Sequence, residues 1–203
     1  MSRNSPPSRR LLSRTRPTGY TLVEVLIAVA VVAILAAAAI PSFEPDAASS
    51  LQSFAQLVSA DLQRARDLAV SNNSTYRITF EAAANRFHLS HAGTNTALDT
   101  LPATVFRTSA NTATRHYTDL DDVPQLGADV RIAAVEVRRS TVAPVTVVEF
   151  GPVGATTETA DTVVWLSSGA TNTLYAGVCV NAVTGIASIE PITAAAPSTA
   201  AGS

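Results

Sequence analysis

The chain has 203 residues, enough for one ordinary globular domain and a membrane segment but too few for two full domains. All fourteen basic residues are arginines and five of them precede Gly19, whereas all sixteen acidic residues follow it. Without residues 1–19, nine arginines would face sixteen carboxylates, a net charge of −7 that argues against strong nonspecific binding of nucleic acid. The single cysteine, Cys179, excludes an internal disulfide, and we interpret it as a plain buried residue.

Residues 1–19 are polar, rich in arginine and interrupted by prolines, which is typical of a targeting segment outside the fold. Residues 20–40 are apolar apart from Glu24. A helix over this segment would be about 31 Å long at ~1.5 Å per residue, close to the ~30 Å of a hydrocarbon core. The arginines on its N-terminal side favour a cytoplasmic N-terminus. We therefore predict a single transmembrane helix over residues 20–40, with the rest of the chain across the membrane.

Pro41 follows directly, and we expect it to kink a helix that continues over residues 41–73. The apolar residues of this second half recur at spacings of three and four, which predicts an amphipathic helix with one buried stripe. The stripe contains Leu51, Phe54, Ala55, Leu57, Val58, Leu62, Ala65, Leu68 and Ala69. If Pro41 only bends the helix, the rod from Tyr20 to about Ser71 would be roughly 78 Å long.

Beyond Asn73 the apolar period changes to two, which predicts a β-rich globular domain over residues 74–190. The predicted strands, of which the first two form a hairpin, lie at 76–80, 87–89, 104–107, 130–137, 145–150, 162–166, 174–180 and 186–190. We expect a long loop over residues 91–128 and a disordered tail over residues 191–203. The predicted fold class is α+β, a long N-terminal helix packed on antiparallel β-sheets.

Glu24 is the most informative residue, because a carboxylate inside a transmembrane helix costs on the order of 2.5 to 3.5 kcal/mol unless it is paired. Residues 20–40 contain no other charged side chain, so a partner must come from another chain or from a new N-terminus. Cutting the bond between Gly19 and Tyr20 would create an α-amine four residues before Glu24. A packed neighbour could also bring its own amine to this carboxylate. The pattern therefore predicts that Glu24 is an assembly contact.

The run GYTLVEVLIAV, which begins at Gly19, resembles the type IV prepilin signature: a glycine, an aromatic residue, and glutamate at the fifth mature position. Pro41 falls at mature position 22, where these proteins commonly have proline. The resemblance implies that prepilin peptidase cuts after Gly19 and methylates the new amine of Tyr20. It also implies a pilin-like fold, a single-pass inner-membrane protein with a periplasmic globular domain, and partners among other pilins or pseudopilins.

A second resemblance covers the start and the end of the remaining chain. Leu62, Ala65, Arg66, Ala69 and Asn73 match the L-x-x-A-R-x-x-A-x-x-x-N element of the GspH/FimT pseudopilin family. The Phe-x-x-x-Gly element of that family is matched by Phe150 and Gly154. The resemblance implies a minor pseudopilin that starts or caps the pseudopilus of type II secretion. The alternative is a minor type IV pilin acting in pilus assembly, adhesion or DNA uptake.

Two other interpretations of the N-terminus remain open. An ordinary secretory signal could be cleaved within Ala36–Ala39, where small residues offer an A-x-A pattern, although its apolar region would be too long and would tolerate Glu24 poorly. A simple membrane anchor without an assembly role would leave Glu24 unexplained.

Nucleic-acid binding is not expected. Some type IV pilus relatives bind DNA through arginines near a C-terminal glycine, and the run Thr184, Gly185, Ile186 has no arginine nearby in sequence. We interpret the remaining basic pair, Arg138 and Arg139, as a solvated strand end.

We predict no catalytic residue, no cofactor and no metal. His88 and His91 would lie on opposite faces of a strand, which does not suit a shared metal ion. Asp119, Asp121 and Asp122 are interpreted as a solvated acidic loop, with calcium as the alternative, although the ligand spacing of a calcium loop is missing. Serine and histidine occur singly, without a recognisable catalytic triad. The protein is therefore expected to be a substrate of processing enzymes and not an enzyme.

Overall fold

The structure is a computed structural model that describes residues 19–39, 47–103, 110–123, 129–139, 141–169 and 173–197. The chain divides into an N-terminal unit, Met1–Glu44, and a C-terminal unit, Pro45–Ser203.

The described residues of the N-terminal unit include helix α1, Leu22–Ala39. The helix begins at Leu22 because the Thr21 hydroxyl oxygen accepts the backbone N–H of Glu24 at 3.2 Å, which satisfies one of the free N–H groups of the first turn. Among the residues that the structure describes, no helix is both long enough and apolar enough to cross a membrane. The expected kink at Pro41 lies outside the described residues.

The C-terminal unit begins with helix α2, Ala47–Ser71. Seven of its nine predicted stripe residues are buried, and Leu57 and Leu68 are partly buried against the same core, so the predicted packed face is confirmed. The helix ends at Ser71, and Asn73 follows in the left-handed region with a φ of +46°. There the N–H of Ser74 donates to the carbonyl of Ala69 and that of Asn73 to the carbonyl of Val70, the hydrogen-bond pattern of a Schellman motif.

In the described residues, nine strands follow α2 in two antiparallel sheets. They are β1 Tyr76–Glu81, β2 Arg86–His91, β3 His116–Asp119, β4 Arg131–Val137, β5 Ala143–Pro144, β6 Val147–Phe150, β7 Thr162–Ser168, β8 Leu174–Val180 and β9 Ala187–Ile189. The first sheet has the order β3-β2-β1-β6 and the second the order β5-β4-β7-β8-β9. Within the described ranges, helix α2 contacts β1 and β6 of the first sheet and β7, β8 and β9 of the second. The predicted α+β class, with a helix on antiparallel sheets, is confirmed.

The shared core lies beneath the buried face of α2. Its largest fully buried side chains include Phe54 and Leu62 from α2, Tyr76 and Phe87 from the first sheet, and Leu166 from the second. Because one apolar stripe covers both sheets, loss of α2 would expose the inner faces of both. The helix is therefore the element that joins the two sheets into one unit.

Two predictions of irregular structure are wrong in part. The expected loop over residues 91–128 contains β3, which pairs with β2. This strand is an edge strand whose residues are all only partly buried, so its sequence HYTD carries no apolar alternation. In the expected disordered tail, Thr193 exchanges two backbone hydrogen bonds with Tyr175 at 2.7 and 2.9 Å. The strand predicted at 104–107 lies outside the described residues.

Candidate functional site

The predicted cleavage point lies just before α1. Gly19, Tyr20 and Thr21 are not helical, and Tyr20 is 81% exposed. A Cβ at Gly19 would meet no atom within 4 Å, so the surroundings in this chain do not require glycine there. Exposed, non-helical backbone is the form in which a peptidase can reach a peptide bond. The geometry is therefore compatible with recognition of Gly19 by an enzyme.

Glu24 lies in the first turn of α1, three residues after the capping threonine. The spacing Thr-x-x-Glu is that of a capping box, a signal that is visible in the sequence and that our sequence analysis missed. A carboxylate in the first turn also interacts favourably with the helix dipole, typically by about 0.3 to 1 kcal/mol. Residues 19–39 contain no arginine, so a cationic partner for Glu24 must come from outside this segment. Glu24 can therefore stabilise the first turn of α1 and also pair with a cation from another chain.

Helix α1 is apolar on every side apart from Glu24, and its described side chains from Leu22 to Leu35 are all exposed within this chain. Exposed fractions of 49% to 76% at its large apolar residues leave no face covered. A helix that is apolar all round is normally covered by other helices or by lipid. Helix α1 is thus the largest unpartnered apolar surface in the described residues.

The two family elements recognised in the sequence meet in space. Arg66 on α2 lies against Gly154, where a Cβ would come within 3.1 Å of Arg66 Nε, and against Gly185, where a Cβ would lie 3.2 Å from Arg66 Cδ. Both glycines have positive φ, +81° at Gly154 and +64° at Gly185. Arg66 Nε also donates to the carbonyl oxygen of Thr184 at 2.8 Å. Arg66 therefore holds the loops at Gly154 and Gly185 against the C-terminal half of α2.

No arginine lies near Gly185 in the sequence, but the fold brings Arg66 to it, and the Thr184 carbonyl that Arg66 contacts is 118 positions away. The guanidinium is engaged within the fold, however. Its Nε is bonded to Thr184, its Nη1 lies 3.8 Å from Asp67 Oδ1, and its side chain is only 28% exposed. Arg66 therefore has a structural role, in which it holds the two loops against α2.

A hydrogen-bonded row joins Ser74, His91 and Asp99, which the sequence did not indicate. The Ser74 hydroxyl lies 2.7 Å from His91 Nε2, and His91 Nδ1 lies 2.8 Å from Asp99 Oδ1. Because an ionised carboxylate only accepts, Nδ1–H donates to Asp99, and Nε2 of a neutral ring accepts the serine proton. The connectivity is that of a Ser-His-Asp triad, so the expectation that serine and histidine stand singly is wrong.

A nucleophilic serine also needs free N–H donors to hold a developing oxyanion. The N–H groups of Asn73, Ser74 and Ala92 already donate to backbone carbonyls, so these three neighbours cannot supply them. The His91 side chain is only 1% exposed. We interpret the row as a clasp that ties the end of α2 and the end of β2 to the turn at Asp99.

The candidate metal residues are kept apart. His88 Nδ1 lies 3.2 Å from Glu81 Oε1, whereas His91 is held in the clasp. In the acidic loop, Asp121 accepts a hydrogen bond from Asn85 Nδ2 at 2.7 Å, and its own N–H donates to Asp119 Oδ1. Across the described ranges, no group of three or more His, Cys, Asp or Glu side chains is placed to hold a metal ion.

The basic pair and the cysteine differ from their predicted roles. Arg138 donates two hydrogen bonds to Glu190, at 2.5 and 2.7 Å, and its guanidinium lies 5.8 Å from the ring centre of Trp165. Arg139 pairs with Glu158. Both arginines are therefore paired and not merely solvated.

Cys179 is only partly buried, and burial, followed by the charge of Asp161, raises the pKa of its thiol. A raised pKa lowers the thiolate fraction and hence the reactivity.

Comparison with known proteins gives one family match. Residues 14–40 match the prokaryotic N-terminal methylation motif, which confirms the predicted type IV pilin-like signal at the N-terminus. No curated protein matches the chain. The chain is similar to crystal structures of the type IV minor pilin FimU of Pseudomonas aeruginosa strain PAO1. In space group P21 the TM-score is 0.44 at 18% identity, over 70% of this chain and 88% of that one. In space group P65 the values are 0.41 and 16%, over 70% and 93%.

Proposed function

We propose that this chain is a structural subunit of a pilin-like filament, processed by prepilin peptidase, and not an enzyme. The observation that carries the proposal is the N-terminal methylation motif over residues 14–40, combined with the position of Glu24 as the only charge in the otherwise apolar helix α1. Both features precede the C-terminal unit, which begins at Pro45 and whose hydrophobic core begins at Leu51.

Processing and membrane insertion form the first step of the proposed mechanism. The arginines of the leader hold the N-terminus in the cytoplasm while residues 20–40 enter the inner membrane as a single span, which sends the C-terminal unit into the periplasm. The peptidase then cuts between Gly19 and Tyr20 and methylates the new amine. Removal of the leader takes away five arginines and leaves one positive amine close to the start of α1.

Assembly is the second step. A positive amine next to a helix N-terminus is unfavourable, because the helix dipole already places partial positive charge there. Glu24 of a neighbouring subunit can neutralise that amine, and away from water such a pair is stronger than an exposed one. The apolar faces of α1 then pack against the same helices of other subunits. Glu24, which would be an unpaired charge in the membrane in a single subunit, is then paired in the filament, and this pairing favours the assembled state over the free subunit.

Within this class we propose a minor pseudopilin of type II secretion, which starts or caps the pseudopilus. Support comes from Arg66, the arginine that the described residues place beside Gly185, because its Nε is bonded to the Thr184 carbonyl and not available for the DNA contact used by some type IV pilus relatives. A minor type IV pilin in pilus assembly or adhesion is the alternative. Deletion of the gene separates the two, since loss of protein export with normal piliation favours the pseudopilin and the reverse favours the pilin.

Mass spectrometry of the membrane-extracted protein tests the proposal directly. We expect a mature N-terminus at Tyr20 that carries a methyl group. Gly19→Val should block cleavage, whereas Thr21→Ser, which keeps the capping hydroxyl, should leave it intact. A mature end within Ala36–Ala39 would contradict the proposal and indicate an ordinary secretory signal.

A further inference from the structure

Four exposed aliphatic side chains cluster at the C-terminal end of α2. They are Val70, Val153, Val183 and Ile186, with exposed fractions of 46%, 84%, 80% and 52%. In the described part of the C-terminal unit, no other large apolar side chain is exposed. Single exposed valines are ordinary, but a cluster of them on an otherwise polar surface indicates an interaction site. We call these four residues the distal patch, because they lie at the opposite end of α2 from the residue where the N-terminal segment joins.

The fold brings the patch together from three separate segments. A Cβ on Gly154, the residue after Val153, would lie 3.0 Å from Val70 Cγ2. A Cβ on Gly185, the residue before Ile186, would overlap the carbonyl oxygen of Gly154. The loops on either side of this contact therefore pass backbone to backbone, with Arg66 beneath both. Local sequence gives no sign of this meeting.

Hydrogen bonds hold both loops in shape. In the first loop, the N–H of Gly154 donates to the carbonyl of Gly151 at 2.9 Å. In the second, Asn181 Oδ1 accepts the N–H groups of Val183 and Thr184 at 3.2 and 3.0 Å. Loops ordered in this way keep the valine side chains in water and lose little entropy when a partner binds. The patch is therefore preorganised for docking.

The size of the patch identifies the kind of partner. Four aliphatic side chains offer much less than the ~800 Å² that each partner buries in a standard protein–protein interface. The patch alone therefore does not hold a stable dimer. A small patch becomes effective when a second, larger contact already brings the partner close, because the docking is then intramolecular in effect. In this chain, α1 is the larger unpartnered apolar surface.

We propose that the distal patch docks an apolar surface on the globular unit of a neighbouring subunit in the same filament. This inference depends on the proposed function, since packing of α1 supplies the first contact. The partner surface is expected to be short, aliphatic and uncharged, to match two valine-tipped loops. The patch thus adds a contact between globular units to the contact between stems.

Site-specific photo-cross-linking in the full chain, expressed with the other subunits, tests this inference. A photoreactive residue is placed at Val153 or Val183 in the patch, at Val25 in α1, or at Ala83 in the exposed turn between β1 and β2 as a control. We expect cross-links to a pilin-like subunit from Val25, Val153 and Val183, but not from Ala83. Cross-links from Val25 with none from the patch would overturn the inference and leave the proposed function standing. Capture of an exported protein at the patch would overturn it as well, whereas loss of the Val25 cross-link would overturn the proposed function itself.

A charge variant provides a second readout. Val153→Asp with Val183→Asp places two carboxylates on the patch, and both positions are so exposed that folding should be unaffected. We expect the yield of subunits cross-linked through Val25 to fall about tenfold, the effect of losing one apolar anchor of an interface. The matched control is Ala83→Asp, which should leave the yield unchanged. An unchanged yield in the double variant, at an unchanged melting temperature, would overturn the inference.

Discussion

Gly185 shows how a single residue sets the shape of the distal loops. Its φ of +64° lies in the left-handed region, and its missing side chain makes room for the carbonyl oxygen of Gly154. The same close approach allows Arg66 to reach the carbonyl of Thr184. Backbone that is strained for other residues is therefore required at the point where α2 meets the two loops.

Replacement of Gly185 by alanine should be severely destabilising. The new Cβ would overlap the Gly154 oxygen and would sit at positive φ, so we expect the free energy of unfolding to fall by about 2 kcal/mol or more. The control is Gly151→Ala, because a Cβ there would lie 3.9 Å from its nearest neighbour, the carbonyl oxygen of Ala155. Urea denaturation measures both. Equal stability of the two variants would show that the loops do not meet as described.

His116 makes folding stability depend on pH. Burial, and then the positive charge of Arg64, lowers the pKa of His116 below its usual 6.5. Arg64 Nη2 lies 3.4 Å from His116 Nδ1, a contact that needs the neutral ring. When the pH falls through 6.5, the unfolded chain takes up the proton first, so stability is lost on the acid side of that value. The pKa of His88 is lowered as well, first by burial, and acts in the same direction.

We therefore expect the melting temperature to drop when the pH is lowered from about 7.5 to about 5.5. His116→Gln with His88→Gln should flatten this dependence, since neither position can then take up a proton. Asp61 has a raised pKa, caused mainly by burial, and should oppose the trend only at lower pH, where carboxylates titrate. An equally steep pH profile in the double variant would contradict this assignment.

At the scale of elements, α2 holds the first sheet through polar as well as apolar contacts. The Thr118 hydroxyl in β3 donates to Asp61 Oδ2 at 2.9 Å, and Arg64 on the next turn reaches His116 in the same strand. Strand β3 lies at the edge of its sheet and is only partly buried. Its position therefore depends on β2 on one side and on these contacts to α2.

The packed face of α2 can be tested by the same substitution, to aspartate, at a buried and an exposed position of the helix. Leu62 is fully buried, so Leu62→Asp would place a carboxylate among apolar side chains, and we expect a loss of several kcal/mol or failure to fold. Gln56 lies on the exposed side of the same helix, and Gln56→Asp should change stability by less than about 0.5 kcal/mol. Thermal melts of the two variants measure the difference. Similar melting temperatures would mean that the helix packs on another face.

At the scale of the whole molecule, Glu24 belongs to the first turn of α1 and also has a proposed role in the assembly of many chains. The capping hydrogen bond at Thr21 and the carboxylate at Glu24 are separate features, so they can be removed one at a time. This separation allows the local role in starting α1 to be distinguished from the proposed role between subunits.

Glu24→Leu should abolish assembly while leaving the monomer intact. The proposed membrane insertion should become easier without the charge, and cleavage after Gly19 should be normal. Cross-linking between subunits and protein export or piliation should both fail, because the proposed partner of the neighbour's amine is lost. Thr21→Ala, which removes only the cap, serves as the control and should retain assembly. Normal cleavage together with parental assembly and export in Glu24→Leu would remove the main physical support for a filament subunit.

Much of the architecture could be predicted because it depends on local periodicity. The three- and four-residue spacing of the α2 stripe indicates a helix with one buried face, and the alternation at Tyr76, Ile78 and Phe80 indicates a strand. Strand β3 could not be predicted in this way, since an edge strand with polar residues has no such alternation. Glu24 stood out because a charge in an apolar run is conspicuous without any knowledge of the fold.

The sequence by itself determined the apolar N-terminal segment, its processing motif and the stripe of α2, since each depends on residues a few positions apart. The tertiary structure alone decided which distant residues are in contact. It brings Ser74 to His91 and Asp99, and it brings Arg66 to the loop at Gly185, where Arg66 bonds to Thr184, 118 positions further along the chain. The distal patch was also decided by the tertiary structure, because its residues come from three separate segments that the fold brings together. These long-range contacts follow from how the sheets pack on α2. Contacts between residues far apart in the chain produce no periodic pattern in the sequence, so they could not be predicted from it.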